Sequence, residues 1–396
     1  MFSFRNLLRF TYRSFFTSRG TPYRLTLKRI GWLLLFYIVF PFWELFIWIG
    51  LWLDELFFAD YHDVQIGAPV FIIGNPRSGT TFLQRLMAEN TQTFTSMKTW
   101  ELLFAPSITA RQIFEALAAV ERRIGKPLRK PLLRLQQRWQ EANVVHKVAL
   151  RAPEEDEYLL IHIFSTLKVW TFAAMLEEAQ RYTYFDKQMP AREKRRIQQF
   201  YRRCLQRHLY AHDAVDKVYL SKNPSYSPMV ETLLEIFPDA RFVYLARNPL
   251  EMIPSYISLT EEEWQILGDP PKPYMCRDWV LEMAHHWYTY PLQRLSERPQ
   301  DQYIVVNFHR MVNHAETVIN EIYERLELEM RDEFAGILHE QAIAARNHES
   351  EHDYALSEMG LSRQEIQTEF EEVFRRFGFE RRVHDEDRVM RREING

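Results

Sequence analysis

The stretch "VFIIGNPRSGTTFLQ", residues Val70–Gln84, runs from a short apolar segment through a turn rich in Gly, Pro, Ser and Thr into an amphipathic restart. That order predicts a strand feeding a helix through a loop whose backbone N–H groups close round an anion at the helix N-terminus. The spacing Gly74-x4-Gly79 matches a P-loop frame, yet a nucleoside-triphosphate loop of that kind carries Lys and then Ser or Thr after its second glycine. Here Thr80 stands at the lysine position, and the cation is Arg77, inside the turn. A triphosphatase also needs Mg²⁺ to neutralise its terminal phosphates, and no strand in the sequence ends in a convincing metal-holding aspartate. One guanidinium acting with backbone amides and no metal suits a less highly charged transferring group, such as a sulfuryl group.

Further along, "KVYLS" at 217–221, "RFVYLA" at 241–246 and "YIVVNF" at 303–308 repeat the pattern of apolar run, turn and helix. The rhythm predicts an α/β fold, a P-loop-like parallel β-sheet flanked by helices. Between the first two strands, apolar positions recur at helical spacing over 101–120, 129–145, 155–175 and 192–212, predicting a helical cap insert over about 98–215. The α/β domain is expected to span 61–375, followed by a charged, solvated tail at 376–396.

The chain has 396 residues, 46% of them hydrophobic and 26% charged, enough to bury a sizeable core. A formal net charge of −3 offers no basic surplus for nucleic acid, so any anion site is local. Cys204 and Cys276 stand far apart, and neither a disulfide framework nor a thiolate metal site is indicated. His208 and His212 lie one helical turn apart, but with no third ligand in view a solvated helix face is expected and no metal is assigned.

"NPRSGTTFLQ" resembles the 5′-phosphosulfate loop, P-[KR]-S-G-T-T, of the sulfotransferases that use 3′-phosphoadenosine 5′-phosphosulfate (PAPS). The resemblance implies that Arg77, Ser78, Gly79, Thr80 and Thr81 hold the donor's phosphosulfate, with Phe82 near the adenine. A second family element, a strand followed by an arginine and then a serine eight residues on, holds the donor's 3′-phosphate. "FVYLARNPLEMIPSY" supplies it as Arg247 and Ser255. "RAPEEDEYLL" (151–160), "LSKNPSYSPMVETLLEIFPDARF" (220–242) and "HDYALSEMGLSRQEI" (352–366) resemble the bacterial-type branch, so the likeness covers roughly residues 64–370. The C-terminal motif that completes the 3′-phosphate site in cytosolic relatives is not recognisable, and "ARNHESEHDY" (345–354) is its candidate replacement.

Sulfuryl transfer to a hydroxyl needs a base for the acceptor's proton, worth about 10²–10⁴ in rate. Relatives use His or Glu; here the candidates are Glu101 in "KTWELLFAP" and His146 in "NVVHKVALRAPEED", with Glu154, Glu155 or Asp156 able to orient the histidine. Lys222, closing a strand, is expected to stabilise charge on the sulfuryl oxygens, and Lys98 is a second candidate.

The first 29 residues hold seven Arg or Lys and no acid, and Arg5, Arg9 and Arg13 form a basic helical stripe beside apolar positions. "IGWLLLFYIVFPFWELFIWIGLWL", Ile30–Leu53, would be roughly 36 Å long as a helix and so able to cross a bilayer. Pro41 and Glu44 oppose a simple span, so in-plane insertion competes with it. The expectation is a membrane-associated segment over 1–60 with the globular domain on the cytoplasmic side, the alternative being a single span with the domain translocated. Taken together, the sequence predicts PAPS-dependent O-sulfation of a lipid, glycolipid or other amphiphilic hydroxyl acceptor. The alternatives are a P-loop kinase or NTPase and a non-catalytic membrane-anchored nucleotide-binding scaffold.

Overall fold

The structure, a computed structural model, describes residues 1–125, 149–346 and 356–379. Five strands, β1 (Val70–Gly74), β2 (Phe94–Thr95), β3 (Val218–Lys222), β4 (Arg241–Ala246) and β5 (Tyr303–Asn307), form one sheet in the order β2-β3-β1-β4-β5. All the pairings are parallel, with Ile72 beside Lys222 and Val243, and Ala246 beside Asn307. The four strands expected from apolar runs are present. The two-residue β2 is too short to leave a periodic signal.

Alternate residues of β1 enter different cores: Phe71 and Ile73 join the larger apolar cluster, Val70 and Ile72 the smaller one. Burial on both faces is why this strand reads as a continuous apolar run. Gly74, Lys222, Ala246 and Asn307 line up at the carboxyl edge of the sheet, where ligand sites form in such folds.

The helices that frame this edge are α1 (Phe4–Phe16), α2 (Leu27–Phe57), α3 (Thr80–Ala88), α4 (Thr99–Phe104), α5 (Ile108–Arg123), α6 (Ala191–Ala211) and α7 (Pro249–Leu267). The helix expected over 101–120 is broken at Pro106–Ser107, where Ser107 caps α5 by accepting from the Ala110 N–H at 3.1 Å. The stretch 155–175 divides into a 3₁₀ segment, Asp156–Ile163, and a short helix, Leu167–Phe172. The expected 129–145 helix and His146 lie outside the described residues, as do 347–354 of the candidate C-terminal motif.

The N-terminal segment, expected to associate with a membrane, also packs into the domain. Phe10, Leu33, Phe40, Ile47 and Leu51 belong to the same apolar core as Phe71 and Ile73 of the sheet. Along α2, Arg29 donates to Leu267 O at 2.9 Å, Trp43 Nε1 to Leu103 O at 2.8 Å, and His162 Nδ1 pairs with Glu44 at 2.9 Å. At its far end Asp54 receives Arg207 Nε at 2.9 Å and the N–H groups of Ile108 and Thr109 at the start of α5. Arg29, Glu44 and Asp54 face inward among Leu33, Phe40, Ile47 and Leu51, a second apolar stripe faces outward, and Pro41 sits on that outer stripe without ending the helix.

At the other end, the charged tail begins later than expected. Phe377 stacks on Tyr244 at 6.5 Å and Phe379 is buried, so packing continues at least to residue 379.

Candidate active site

β1 ends at Gly74, whose φ of +143° and contact with β4 exclude a side chain: a Cβ there would meet Leu245 O at 2.3 Å. Ser227 Oγ donates to Gly74 O at 2.9 Å and accepts from Gly74 N at 3.0 Å, fixing the strand exit. The loop then passes Arg77 in left-handed backbone, φ +63°, a costly conformation for a branched-off side chain that clusters at functional sites. Gly79, φ +85°, precedes α3 and packs under the Phe308 ring. Ser78 Oγ and both polar atoms of the Asn75 amide are buried and make no hydrogen bond among the described residues. Orphaned donors at a helix N-terminus fit an anionic ligand.

The second predicted element meets the first. Arg247 leaves the end of β4 and its Nη1 donates to Arg77 O at 2.8 Å, while Arg77 Nε donates to Ser255 Oγ, on α7, at 3.0 Å. The Arg247 guanidinium lies 4.4 Å from the centre of the Phe308 ring and pairs with Glu251 at 3.0 Å. Burial would raise the Glu251 carboxyl, but His309 and Arg247 hold it below its ordinary range. Thr80 is buried at the first turn of α3, and Thr81 and Phe82 are half-buried beside it.

Lys222 closes β3 fully buried, with Nζ 3.0 Å from Glu155 Oε1 and 3.4 Å from Glu154 Oε1. Glu155 also meets Lys168 Nζ at 2.6 Å. Glu154 and Glu155 were expected to orient His146, which lies outside the described residues; in the structure both bind Lys222. Lys168 was missed, because a lysine at the start of an apolar helical stretch carries no distinguishing signal.

Glu101, the leading candidate for the base, has both carboxylate oxygens bonded within the protein. Its Oε2 accepts from the Lys98 N–H at 2.6 Å, and its Oε1 accepts from His212 Nε2 at 2.6 Å with Arg111 Nη1 at 3.7 Å. Arg111 also donates to His208 Nδ1 at 3.1 Å; a guanidinium only donates, so His208 keeps its proton on Nε2, bonded to Thr95 Oγ1 at 2.8 Å. Thr95 pairs with Tyr219, which puts this group roughly 10 Å upstream of Lys222 along β3.

His208 is buried, not on a solvated face as expected. Glu101, His208 and His212 bring ligating atoms within 4.8 Å of one another, the third ligand that spacing alone did not reveal. Arg111 nevertheless occupies the His208 lone pair and supplies the local positive charge, so the group is an ion-pair and hydrogen-bond lock between α4, α5 and α6. Burial tends to raise the Glu101 carboxyl, but Arg111 and His212 hold it well below the ordinary carboxylate range. A depressed folded-state pKa confers stability that is present above the ordinary value of 4.5 and lost as pH falls. Glu101→Gln is therefore expected to lower stability by about 3 kcal/mol at neutral pH and to flatten the acid limb of the stability profile, with little change in kcat. Denaturant midpoints at neutral and acid pH check this.

The carboxyl edge of the sheet thus carries an arginine-bearing glycine loop and a second arginine from the neighbouring strand, an arrangement chemically suited to a phosphate- or sulfate-bearing ligand. The sulfotransferase family profile matches residues 69–332, well over half of the chain, and the chain belongs to that family. Two curated relatives, the omega-hydroxy-beta-dihydromenaquinone-9 sulfotransferases Stf3 of Mycobacterium bovis and Mycobacterium tuberculosis, are each 26% identical over 226 residues, 56% of this chain and 52% of theirs. The chain thus matches about half the length of these relatives. Its fold is shared with sulfotransferase STF9 from Mycobacterium avium, at TM-score 0.60 and 19% identity over 81% of this chain and 80% of that one. STF1 from Mycobacterium tuberculosis gives TM-score 0.58 and 19% identity over 80% of each chain.

Proposed function

We propose that the protein moves the sulfuryl group of PAPS to a hydroxyl of a lipid, glycolipid or other amphiphilic acceptor at the cytoplasmic side of a membrane. The observation that carries this is the meeting of Arg77 and Arg247, 170 positions apart, beside unsatisfied Ser78 and Asn75. The residues from Arg77 to Thr81 would hold the phosphosulfate, Phe82 would flank the adenine, and Arg247 with Ser255 would hold the 3′-phosphate. PAPS supplies an activated sulfuryl group on a good phosphate leaving group.

Lys222 neutralises charge on the sulfuryl oxygens, where a fixed cation in a dry site is worth far more than in water. As the acceptor oxygen bonds to sulfur and the sulfur–phosphate oxygen bond breaks in line, the acceptor's proton passes to the Glu154–Glu155 pair. These carboxylates stand within 3.4 Å of the Lys222 ammonium, the group set to face the sulfuryl oxygens. An amphiphilic acceptor is supported by the hydroxylated menaquinone in the names of the two curated relatives and by the apolar N-terminal helices. With seven basic residues and no acid before Ile30, the segment favours the cytoplasmic leaflet.

Incubation with sulfur-radiolabelled PAPS and a membrane lipid extract tests the assignment; label in an extractable lipid supports it, and Mg²⁺-dependent ATP turnover with no PAPS binding would overturn it. Glu154→Gln and Glu155→Gln are expected to retain donor binding, with kcat reduced about 10²-fold in whichever removes the base. Arg247→Ala should weaken 3′-phosphoadenosine 5′-phosphate binding by about tenfold or more, the loss of one charge-assisted hydrogen-bonding group, as read by titration calorimetry.

A further inference from the structure

We infer that α1, α2 and α5 form one docking face for an anionic lipid bilayer, on which the protein lies flat in a single leaflet without spanning it. Between Arg29 and Asp54 the sole charged residue of α2 is Glu44, and it points inward to His162. Outward stand Ile38, Phe42, Leu45 and Trp52, Phe42 at 73% exposure. A helix facing water has the opposite polarity.

The stripe extends to both neighbours. Thr11 of α1 bonds Tyr37 at 2.6 Å, and Phe16 beside it is 75% exposed. On the other side Gly50 lets α5 approach closely, since a Cβ there would meet Ser107 Oγ at 2.5 Å, and Phe46 touches Phe114 at 6.3 Å. α5 continues the surface with Leu117, Val120 and Ile124, all more than half exposed. Nothing in the sequence pattern of the N-terminal segment pointed to α5.

Two observations select a bilayer and its orientation. Arg5, Arg19, Arg122 and Arg123 are exposed on or just beyond α1 and α5, offering cations to acidic headgroups. The inner side of α2 is bonded to the same domain from Arg29 to Asp54, along about 40 Å of helix. A spanning helix would carry that domain into the hydrocarbon. In-plane insertion leaves it in water, with the apolar stripe in lipid.

The face also adjoins the site. Phe114 packs on Trp100 at 5.9 Å, and Lys98, at the N-cap of the same α4, bridges to Pro153, next to Glu154. That a bilayer-dissolved acceptor enters along α5 rests on the sulfotransferase assignment; the docking itself does not.

The test is co-sedimentation of the full chain, without donor, on phosphatidylcholine vesicles with and without phosphatidylglycerol. Binding is expected to the anionic vesicles and to weaken with salt. The triple variant Leu117→Ser, Val120→Ser, Ile124→Ser should lower the partition coefficient at least tenfold, about 1.4 kcal/mol, with the thermal midpoint retained. It should sulfate a soluble short-chain alcohol as before and a vesicle-borne long-chain alcohol less well. Arg19→Cys and Asp60→Cys, flanking α2, should both react with an impermeant maleimide from the same side of sealed membranes, since Cys204 and Cys276 are buried. Labelling from opposite sides, unchanged partitioning of the α5 variant, or a dimer that dissociates in that variant without vesicle binding would each overturn the inference. Loss of sulfuryl transfer alone would not.

Discussion

Arg77→Ala is expected to reduce kcat/KM for sulfuryl transfer by about 10³ or more. Arg77 is the cation of the Asn75–Thr81 loop, and the α3 amides beyond it are neutral dipoles. A preorganised donor aimed at developing charge is worth roughly 10²–10³ in kcat when removed, and this residue also holds Ser255 through Nε at 3.0 Å. The substitution therefore removes charge stabilisation and unties the two halves of the donor site. Because φ at this position is +63°, alanine does not relieve the backbone strain, so the loop gains nothing in compensation. Arg77→Lys should recover part of the charge effect but not the planar link to Ser255. Single-turnover assays with labelled PAPS separate donor affinity from the transfer step. A kcat/KM within tenfold of the parent would remove Arg77 from the proposed role.

Deleting residues 1–57 is expected to abolish folding rather than merely release the domain from membranes. The deletion removes Phe10, Leu33, Phe40, Ile47 and Leu51 from the main core, at about 1.5–3 kcal/mol each. Even the lower figure is comparable to the whole stability of a typical domain, about 5–15 kcal/mol. It also strips Asp54 and Glu55 from buried Arg207, and Glu44 from buried His162. Asp54→Ala isolates part of the effect: leaving Arg207 desolvated without this partner, and the Ile108 and Thr109 N–H groups without their acceptor, should cost about 3–5 kcal/mol. Soluble expression, circular dichroism and denaturant midpoints check both. A truncated chain that unfolds cooperatively near the parent midpoint would show that the N-terminal helices are an appendage after all.

These expectations show unevenly in the linear chain. The loop and its partner strand were legible because each is a local arrangement: a glycine at a forced φ, a cation in a turn, an arginine at a strand end with a serine two helical turns on. The 101–120 helix was only partly legible, since its apolar spacing runs across the Pro106–Ser107 break. The bonding of Glu101 was not legible, because its partners Arg111 and His212 lie on helices whose docking no spacing encodes. His208 failed similarly: its helix face is set by what covers it, here Thr95 and Arg111. Glu154 and Glu155 were noticed as acids, but their partnership with Lys222 needed β3 and the 151–156 stretch in one frame.

Residue order along short stretches was sufficient for the parallel α/β architecture, the anion loop, the two arginines and an apolar N-terminal helix, because periodicity and backbone restriction act within a few residues. Which carboxylates stand beside Lys222, and which side of α2 faces the domain, came from packing between segments 67 to 153 positions apart. Ion pairs such as Asp54 with Arg207 and Glu44 with His162 exist only after that packing, and they hold the charged side chains of α2 against the domain and leave its apolar stripe outward.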